Sequence, residues 1–375
     1  MNTVKAMIDG KVVNVGEGVT ILEGARIAGI EIPTLCYHPD LTLTGNCRVC
    51  VVEVEGAKTL AGACHTPLTE GMVIHTRSPK VLAARRVTVE LLMAGHTGEC
   101  VTDEHTSKCE LRRLADQLEG EAPRFRMRRP RWFPVEEGNP YVRRDMSRCI
   151  LCRKCIGACR EVARKDVYGM AYRGFSSKVV VDFDGPLTTE VCRDCGICID
   201  YCPTGALKSA TGKGEERRVS QETLQTASQL APQFVPMKGR ERAMLLERLK
   251  RSQKEFGCVP GEFIVEAARS LGLSISEVYG LTTFYGFLSS RPLGRVILRI
   301  CKSVPCYLKS AEMVIGTVER EIGIKPGETT PDHRFSFELT NCIGACDMAP
   351  AMLVNDKIYG HLTPEKITEI LGACQ

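Results

Sequence analysis

A chain of 375 residues has room for two to four modules, so one uniform fold is not expected. Apolar residues at 43% and charged residues at 25% exclude a disordered chain, and no apolar run approaches the length of a membrane span. The net charge of +5 is modest. Its local excess lies in Arg124, Arg126, Arg128, Arg129, Arg131, Arg143 and Arg144, interleaved with Pro123, Pro130, Pro134 and Pro140, where a solvated, extended connector is expected. The unusual feature is 20 cysteines grouped in tight runs. A disulfide framework fits them poorly, because disulfides stabilise mainly small secreted domains. Residues Met1 to Lys5 lead directly into an alternating strand pattern without the charged-then-apolar design of a signal peptide, so a cytoplasmic location is expected.

In chain order, Val4 to Ile8 and Lys11 to Val15 read as strands around Asp9-Gly10, a hairpin turn signal. Thr20 and Glu23 form a capping box for a helix with the apolar stripe Ile21, Leu22, Ala25 and Ala28, and Pro33 ends that run. Residues 79–120 read as helical on both sides of a His/Cys-bearing loop, with Val81, Leu82, Val87, Leu91 and Leu92 as the stripe. After the basic connector, 121–140, two similar cysteine runs recur at a spacing of 43 residues within 141–210, one unit used twice. The polar, cysteine-free stretch 211–240 reads as a linker. Residues 241–290 are helical by pattern, and 291–375 alternate a strand at 296–300, a helix at 310–321 and a strand near 335–339, the order of a small α/β module.

The most specific signal is the pair of runs Cys149, Cys152, Cys155, Cys159 and Cys192, Cys195, Cys198, Cys202, the second followed by Pro203. Two two-residue gaps and then a three-residue gap is the bacterial ferredoxin spacing, in which the fourth cysteine ligates the other cluster. One [4Fe–4S] cluster is therefore assigned to Cys149, Cys152, Cys155 and Cys202, and a second to Cys192, Cys195, Cys198 and Cys159. Structural zinc, the alternative, usually takes two separated cysteine pairs. A second constellation, Cys36, Cys47, Cys50 and Cys64, suits by spacing either a [2Fe–2S] cluster or an all-cysteine zinc site. A third pairs Cys301 and Cys306 with Cys342 and Cys346, the latter in Asn341-Cys342-Ile343-Gly344-Ala345-Cys346, where glycine lets backbone approach a cluster closely; a zinc ribbon is its alternative. Cys258 and Cys374 fall outside these sets and are read as free thiols, and His65, His75 and His333 as surface or satisfied residues.

The segment Pro33-Thr34-Leu35-Cys36-Tyr37-His38-Pro39, followed by Gly45-Asn46-Cys47-Arg48-Val49-Cys50, resembles the N-terminal [2Fe–2S] domain of the large iron–sulfur subunit of respiratory complex I (75-kDa type) and of iron-only hydrogenases. The resemblance runs through the ferredoxin repeat, with Arg173-Gly174-Phe175 and Gly185-Pro186-Leu187 matching the hydrogenase-type insert. It implies a β-grasp [2Fe–2S] ferredoxin over 1–78 and a small helical domain over 79–120 carrying a His-plus-three-Cys [4Fe–4S] site. Here that region offers His96, Cys100, Asp103 and Cys109, so a third cluster would have atypical ligation: a carboxylate, harder than a thiolate, replaces one cysteine. His105 is a possible substitute ligand, and a loop holding no cluster is the alternative. Val278-Tyr279-Gly280 and Tyr359-Gly360-His361-Leu362-Thr363-Pro364-Glu365, around the last four cysteines, resemble the 24-kDa-type subunit of complex I, which implies a helical bundle followed by a thioredoxin-like [2Fe–2S] domain.

The expected fold is thus multidomain α+β: β-grasp [2Fe–2S] ferredoxin, helical His/Cys cluster domain, 2×[4Fe–4S] ferredoxin, helical bundle and thioredoxin-like domain. Neither a G-x-G-x-x-G turn nor a phosphate-binding P-loop is present, so no dinucleotide cradle and no substrate site are expected. The resemblance implies that FMN and NAD(P) sit on partner subunits: a complex I-like flavoprotein docking on the C-terminal module, a further catalytic subunit, and ferredoxin as an additional partner. The expected function is single-electron relay in a soluble flavin-based electron-bifurcating hydrogenase, formate dehydrogenase or transhydrogenase. The alternatives are the peripheral arm of a membrane NADH:quinone oxidoreductase and a zinc scaffold. Nucleic-acid binding is not expected, since the basic connector has only Trp132 and Phe133 to interleave with its arginines.

Overall fold

A computed structural model describes residues 3–96, 109–118, 124–125, 132–187, 192, 195–210 and 239–374, with backbone only for 239–243. The expected linker therefore lies almost wholly outside the described residues, as does much of the basic connector. The chain divides into two compact units: Met1–Pro236 with Ser274–Gly280, and Met237–Leu273 with Leu281–Gln375.

The first unit begins with a five-stranded mixed sheet clasping one helix. Strands β1 (Thr3–Ile8) and β2 (Lys11–Gly16) form the hairpin, turning on Asp9 and Gly10, both at positive φ as a two-residue hairpin turn requires. Strands β3 (Val51–Val54), β4 (Ala61–Gly62) and β5 (Val73–His75) complete the order β2-β1-β5-β3-β4, with β5 parallel to β1. Helix α1 (Ile21–Ile27) starts at the capping box: the Glu23 N–H donates to Thr20 Oγ1 (3.3 Å) and the Thr20 N–H to Glu23 Oε2 (3.0 Å). Its Ile21 and Leu22 are buried against Ile8 and Ile74.

Helix α2 (Pro79–Ala94), capped by Ser78, packs against α3 (Glu110–Gln117). Its buried face differs from the expected stripe. Val81, Arg85 and Val89 point inward at four-residue spacing, while Leu82, Val87 and Leu91 are exposed. The cause is Arg85, whose guanidinium is drawn into the sheet by backbone carbonyls and sets the rotation of the helix.

In the ferredoxin repeat, β6 (Val142–Arg144) pairs antiparallel with β9 (Leu207–Ser209) and so ties together the two ends of the module. Between them lie the short helices α4 (Lys154–Gly157) and α5 (Ile197–Asp200) and the hairpin β7 (Tyr168–Ala171) with β8 (Lys178–Val181). Arg144 departs from the solvated connector it was grouped with. It is 1% exposed, ion-paired to Glu136 at 3.1 Å, with its guanidinium 5.8 Å from the Tyr168 ring centroid. Within the span read as a helical bundle, Ser274–Gly280 belongs to this first unit. Ser276 Oγ donates to Val167 O (2.8 Å) and accepts from the Asp182 N–H (2.7 Å), and Glu277 pairs with Arg160 at 2.9 Å. A Cβ on Gly280 would collide with the carbonyl of Met170, so only glycine permits this approach.

The second unit contains helices α6 (Gly239–Phe256) and α7 (Gly261–Leu271), and the division falls inside α8 (Ile275–Phe284). Its sheet runs β11 (Glu328–Thr329), β12 (Phe335–Thr340), β10 (Val296–Cys301), β13 (Met352–Val354) and β14 (Lys357–Tyr359), in that order. Strands β10 and β12 are parallel, joined through the crossover helix α10 (Ala311–Ile322), which follows the short α9 (Val304–Leu308). Helix α11 (Pro364–Ala373) packs against α10, and Leu298, Val314, Phe337, Met352 and Ile367 form the core.

Candidate metal centres

In the N-terminal module, the loop from α1 to β3 carries Cys36, Cys47 and Cys50, and Cys64 follows β4; all four thiols are buried. The loop curls inward through Gly45 and Arg48, both at positive φ. The Cys47 N–H donates to Cys36 Sγ at 3.4 Å. A hydrogen bond from the Cys47 thiol brings Cys36 down to about 5, and one from Cys64 brings Cys50 to about 7. The two donors, Cys47 and Cys64, are pushed up correspondingly. Cys64 also feels the charges of Cys36, Cys47 and Cys50, so the four form one electrostatic group of the kind a thiophilic metal discharges.

His96, at the end of α2, is buried, and burial pushes its pKa below the ordinary imidazole value. Nδ1 lies 2.9 Å from the Arg148 carbonyl, which can only accept, so Nδ1 carries the proton and Nε2 presents its lone pair. Nε2 faces Cys109 Sγ at 3.7 Å. The structure thus brings together two of the four expected ligands; Cys100 and Asp103, with His105, lie outside the described residues.

In the ferredoxin repeat, Cys149, Cys152, Cys155 and Cys202 line one cavity together with Met146 and Val179. Cys159, Cys192, Cys195 and Cys198 are mutual electrostatic neighbours. These are the two sets the crossed spacing assigns. Arg153 and Gly196, equivalent residues of the two repeats, both take the left-handed conformation at the start of the short helix carrying the third cysteine. Desolvation pushes Cys152, Cys155 and Cys198 well up and Cys159 to about 11. Metal binding here must displace protons. The N–H of Leu151 donates to Cys149 Sγ (3.4 Å) and that of Val167 to Cys159 Sγ (3.3 Å), while the Tyr168 hydroxyl lies 3.5 Å from Cys198 Sγ.

The sets of the first unit are joined by packing. Cys36, Cys47, Cys109 and Cys152 are buried in one apolar cluster with Leu35 and Leu111. The His38 ring, two residues past Cys36, rests on Tyr201, the neighbour of Cys202, with centroids 4.5 Å apart.

In the second unit, Cys301 ends β10 and Cys306 lies in α9, both buried, whereas Cys342 and Cys346 are exposed in the loop after β12. Cys342 Sγ and Cys346 Sγ are 3.5 Å apart, and the N–H of Gly344, at φ 84°, donates to Cys342 Sγ at 3.4 Å. Burial alone would raise Cys301; hydrogen bonds from the Ser303 backbone and the Cys306 thiol bring it below the ordinary thiol value.

Among the described residues, no three His, Cys, Asp or Glu side chains form a group placed to hold a single metal ion. Sequence reasoning missed Arg85, Arg144 and Tyr168. Only Arg85 left a signal, an arginine on the Val81/Val89 spacing of an apolar helix face.

Buried, paired thiols in ferredoxin-type loops define an iron–sulfur protein. Three family models each match a part of the chain: residues 1–79 the 2Fe-2S iron-sulfur cluster binding domain, residues 139–208 the ferredoxin-like domain of NADH-quinone oxidoreductase subunit 3, and residues 232–375 the thioredoxin-like [2Fe-2S] ferredoxin. It is 40% identical over 220 residues to the NADP-reducing hydrogenase subunit HndD of Solidesulfovibrio fructosivorans, covering 55% of this chain and 36% of that protein. It is 32% identical over 207 residues to the mitochondrial NADH-ubiquinone oxidoreductase 78 kDa subunit of Candida albicans, covering 55% and 28%. It therefore spans about a third of the length of these relatives. A solved NAD+-reducing [NiFe]-hydrogenase in the H2-reduced state matches at 28% identity and a TM-score of 0.48, covering 58% of this chain and 90% of that one.

Proposed function

We propose that this chain relays single electrons between an FMN/NAD(H)-binding flavoprotein subunit and a catalytic subunit or ferredoxin, within a cytoplasmic, electron-bifurcating hetero-oligomer. Iron–sulfur clusters, when bound, take up and release electrons at potentials set by hydrogen bonds, charge and solvent exposure. The residues that would hold them are Cys36, Cys47, Cys50 and Cys64 for one [2Fe–2S], Cys301, Cys306, Cys342 and Cys346 for another, and the two crossed sets of the repeat for two [4Fe–4S]. His96, Cys100, Asp103 and Cys109 are proposed for a third.

The observation that supports this reading is the apolar cluster joining Cys36, Cys47, Cys109 and Cys152, thiols proposed for three different sets. Metal sites with separate structural roles have no need to share packing. The C-terminal set supports a docking role for a different reason: Cys342 and Cys346 are exposed, and so are the apolar Val304, Tyr307 and Leu308 around Cys306. The names of the relatives, NADP-reducing hydrogenase and NADH-ubiquinone oxidoreductase, supply the pyridine-nucleotide end.

The test is electron paramagnetic resonance during NADH titration of the complex purified with its flavoprotein. Both [2Fe–2S] signals should grow, and a spectrum unchanged by NADH would sink the relay. A second reading, the peripheral arm of a membrane NADH:quinone oxidoreductase, is favoured by the matches to the subunit 3 ferredoxin-like domain and to the mitochondrial 78 kDa subunit. Among the described residues no helix is long and apolar enough to cross a membrane, so on this reading attachment would come through partner subunits. Co-purification with membranes rather than with soluble subunits distinguishes it.

A further inference from the structure

Arg85 is 4% exposed in the middle of α2. Its guanidinium is spent on backbone carbonyls: Nε donates to Val49 O at 3.0 Å, and Nη2 to Val51 O at 2.9 Å and Thr76 O at 3.4 Å. Val49 and Val51 are the residues on either side of Cys50. The guanidinium therefore brackets the backbone of one thiol of the N-terminal set and pins the ligand loop to the helix.

Three carbonyls engage Nε and Nη2 of Arg85 but leave its charge uncompensated, and a buried charge without a partner is costly. Among the described residues no carboxylate forms an ion pair with it. Asp9, whose charge acts on it against that of Arg77, accepts from the Thr76 N–H at 2.7 Å and from the Thr76 hydroxyl. The other negative charge that acts on Arg85 is Cys50 itself. Four thiolates around a two-iron, two-sulfide core carry net negative charge in both oxidation states, and one unit more after reduction.

We propose that Arg85 is the buried counter-cation and positioning residue of the N-terminal [2Fe–2S] site, bracketing Cys50 through the Val49 and Val51 carbonyls and favouring the reduced state of the centre. This rests on the cluster assignment proposed for Cys36, Cys47, Cys50 and Cys64. A merely structural arginine would staple α2 to the sheet and leave the potential where it was.

The test is a redox titration of the full-length, cluster-loaded protein followed by electron paramagnetic resonance, for wild type, Arg85→Gln and Arg85→Lys. The C-terminal [2Fe–2S] signal and the cubane signals serve as internal references. In Arg85→Gln the reduced-to-oxidised ratio of the N-terminal centre, read at the wild-type midpoint, should fall about tenfold, the size expected for one partly screened charge near a buried site. The references should not move. Arg85→Lys keeps the charge and loses the fork, so it should hold most of the potential while melting earlier. An unmoved ratio in Arg85→Gln, or a shift as large in Arg85→Lys as in Arg85→Gln, overturns the proposal. If Arg85→Gln does not retain the centre, Arg85→Met, which keeps the apolar stem and removes the charge, takes its place: the same tenfold fall supports the counter-cation, and an unmoved ratio overturns it. Absence of a second two-iron signal in the wild type would instead overturn the cluster assignment.

Discussion

In the N-terminal site all four thiols are buried and hydrogen-bond in two pairs, whereas in the C-terminal site Cys301 and Cys306 are buried and Cys342 and Cys346 stand exposed. The ligand chemistry is the same. What differs is access. A site whose thiols are all buried exchanges electrons through the protein packed around it, and here the packing around Cys36 and Cys47 includes Cys109 and Cys152. A site with two ligands at the surface can exchange directly with a docked molecule. On the proposed function, relay falls to the first and entry or exit to the second.

The comparison breaks most visibly on ligand removal. Cys50→Ala and Cys342→Ala should each lose about two irons per chain. Only Cys50→Ala should also lower the melting temperature of its unit, because it leaves three buried thiols without the metal that neutralises them. Equal destabilisation by both variants, followed by calorimetry and iron assay, would remove the distinction between the sites. Metal removal gives the next effect: an anaerobic chelator should strip the C-terminal signal several-fold faster than the N-terminal one, and equal rates would count against the difference in access.

Tyr168→Phe sharpens the comparison at the buried centres. Tyr168 is 1% exposed, and its hydroxyl lies beside Cys198 Sγ. Removing the hydroxyl should shift the reduced-to-oxidised ratio of one cubane about fivefold toward oxidised, the worth of one hydrogen bond, with both [2Fe–2S] signals unmoved. Redox titration checks it. The smallest effect is structural: Gly280→Ala should destabilise the packing of Ser274–Gly280 on the β7–β8 hairpin by about 1–3 kcal/mol without changing iron content, as chemical denaturation would show.

Local signals in the sequence were strong where a short-range rule governs the outcome. The Thr20/Glu23 capping box, the Asp9-Gly10 turn and the strand and helix order after residue 295 each depend on a few neighbouring residues, and each is observed within a residue or two. The spacing groups Cys149, Cys152, Cys155 and Cys202, and these four line one cavity. What was illegible depends on partners distant in sequence. Val81 and Leu92 of the expected α2 stripe pack inward, but Leu82, Val87 and Leu91 do not, because Arg85 takes an inward position on the carbonyls of Val49 and Val51, more than 30 residues upstream. Arg144 was grouped with solvated arginines, since nothing local announces that Glu136 and the Tyr168 ring will enclose it. The role of Ser276 and Glu277 was equally hidden, because their partners Val167, Asp182 and Arg160 lie some hundred residues away.

The most direct test of the whole account is iron, acid-labile sulfide and zinc per chain on anaerobically purified protein. The account predicts about 12 irons with matching sulfide from the four all-cysteine sets, rising to about 16 when the set at His96 is filled. Several zincs per chain with little sulfide would contradict it.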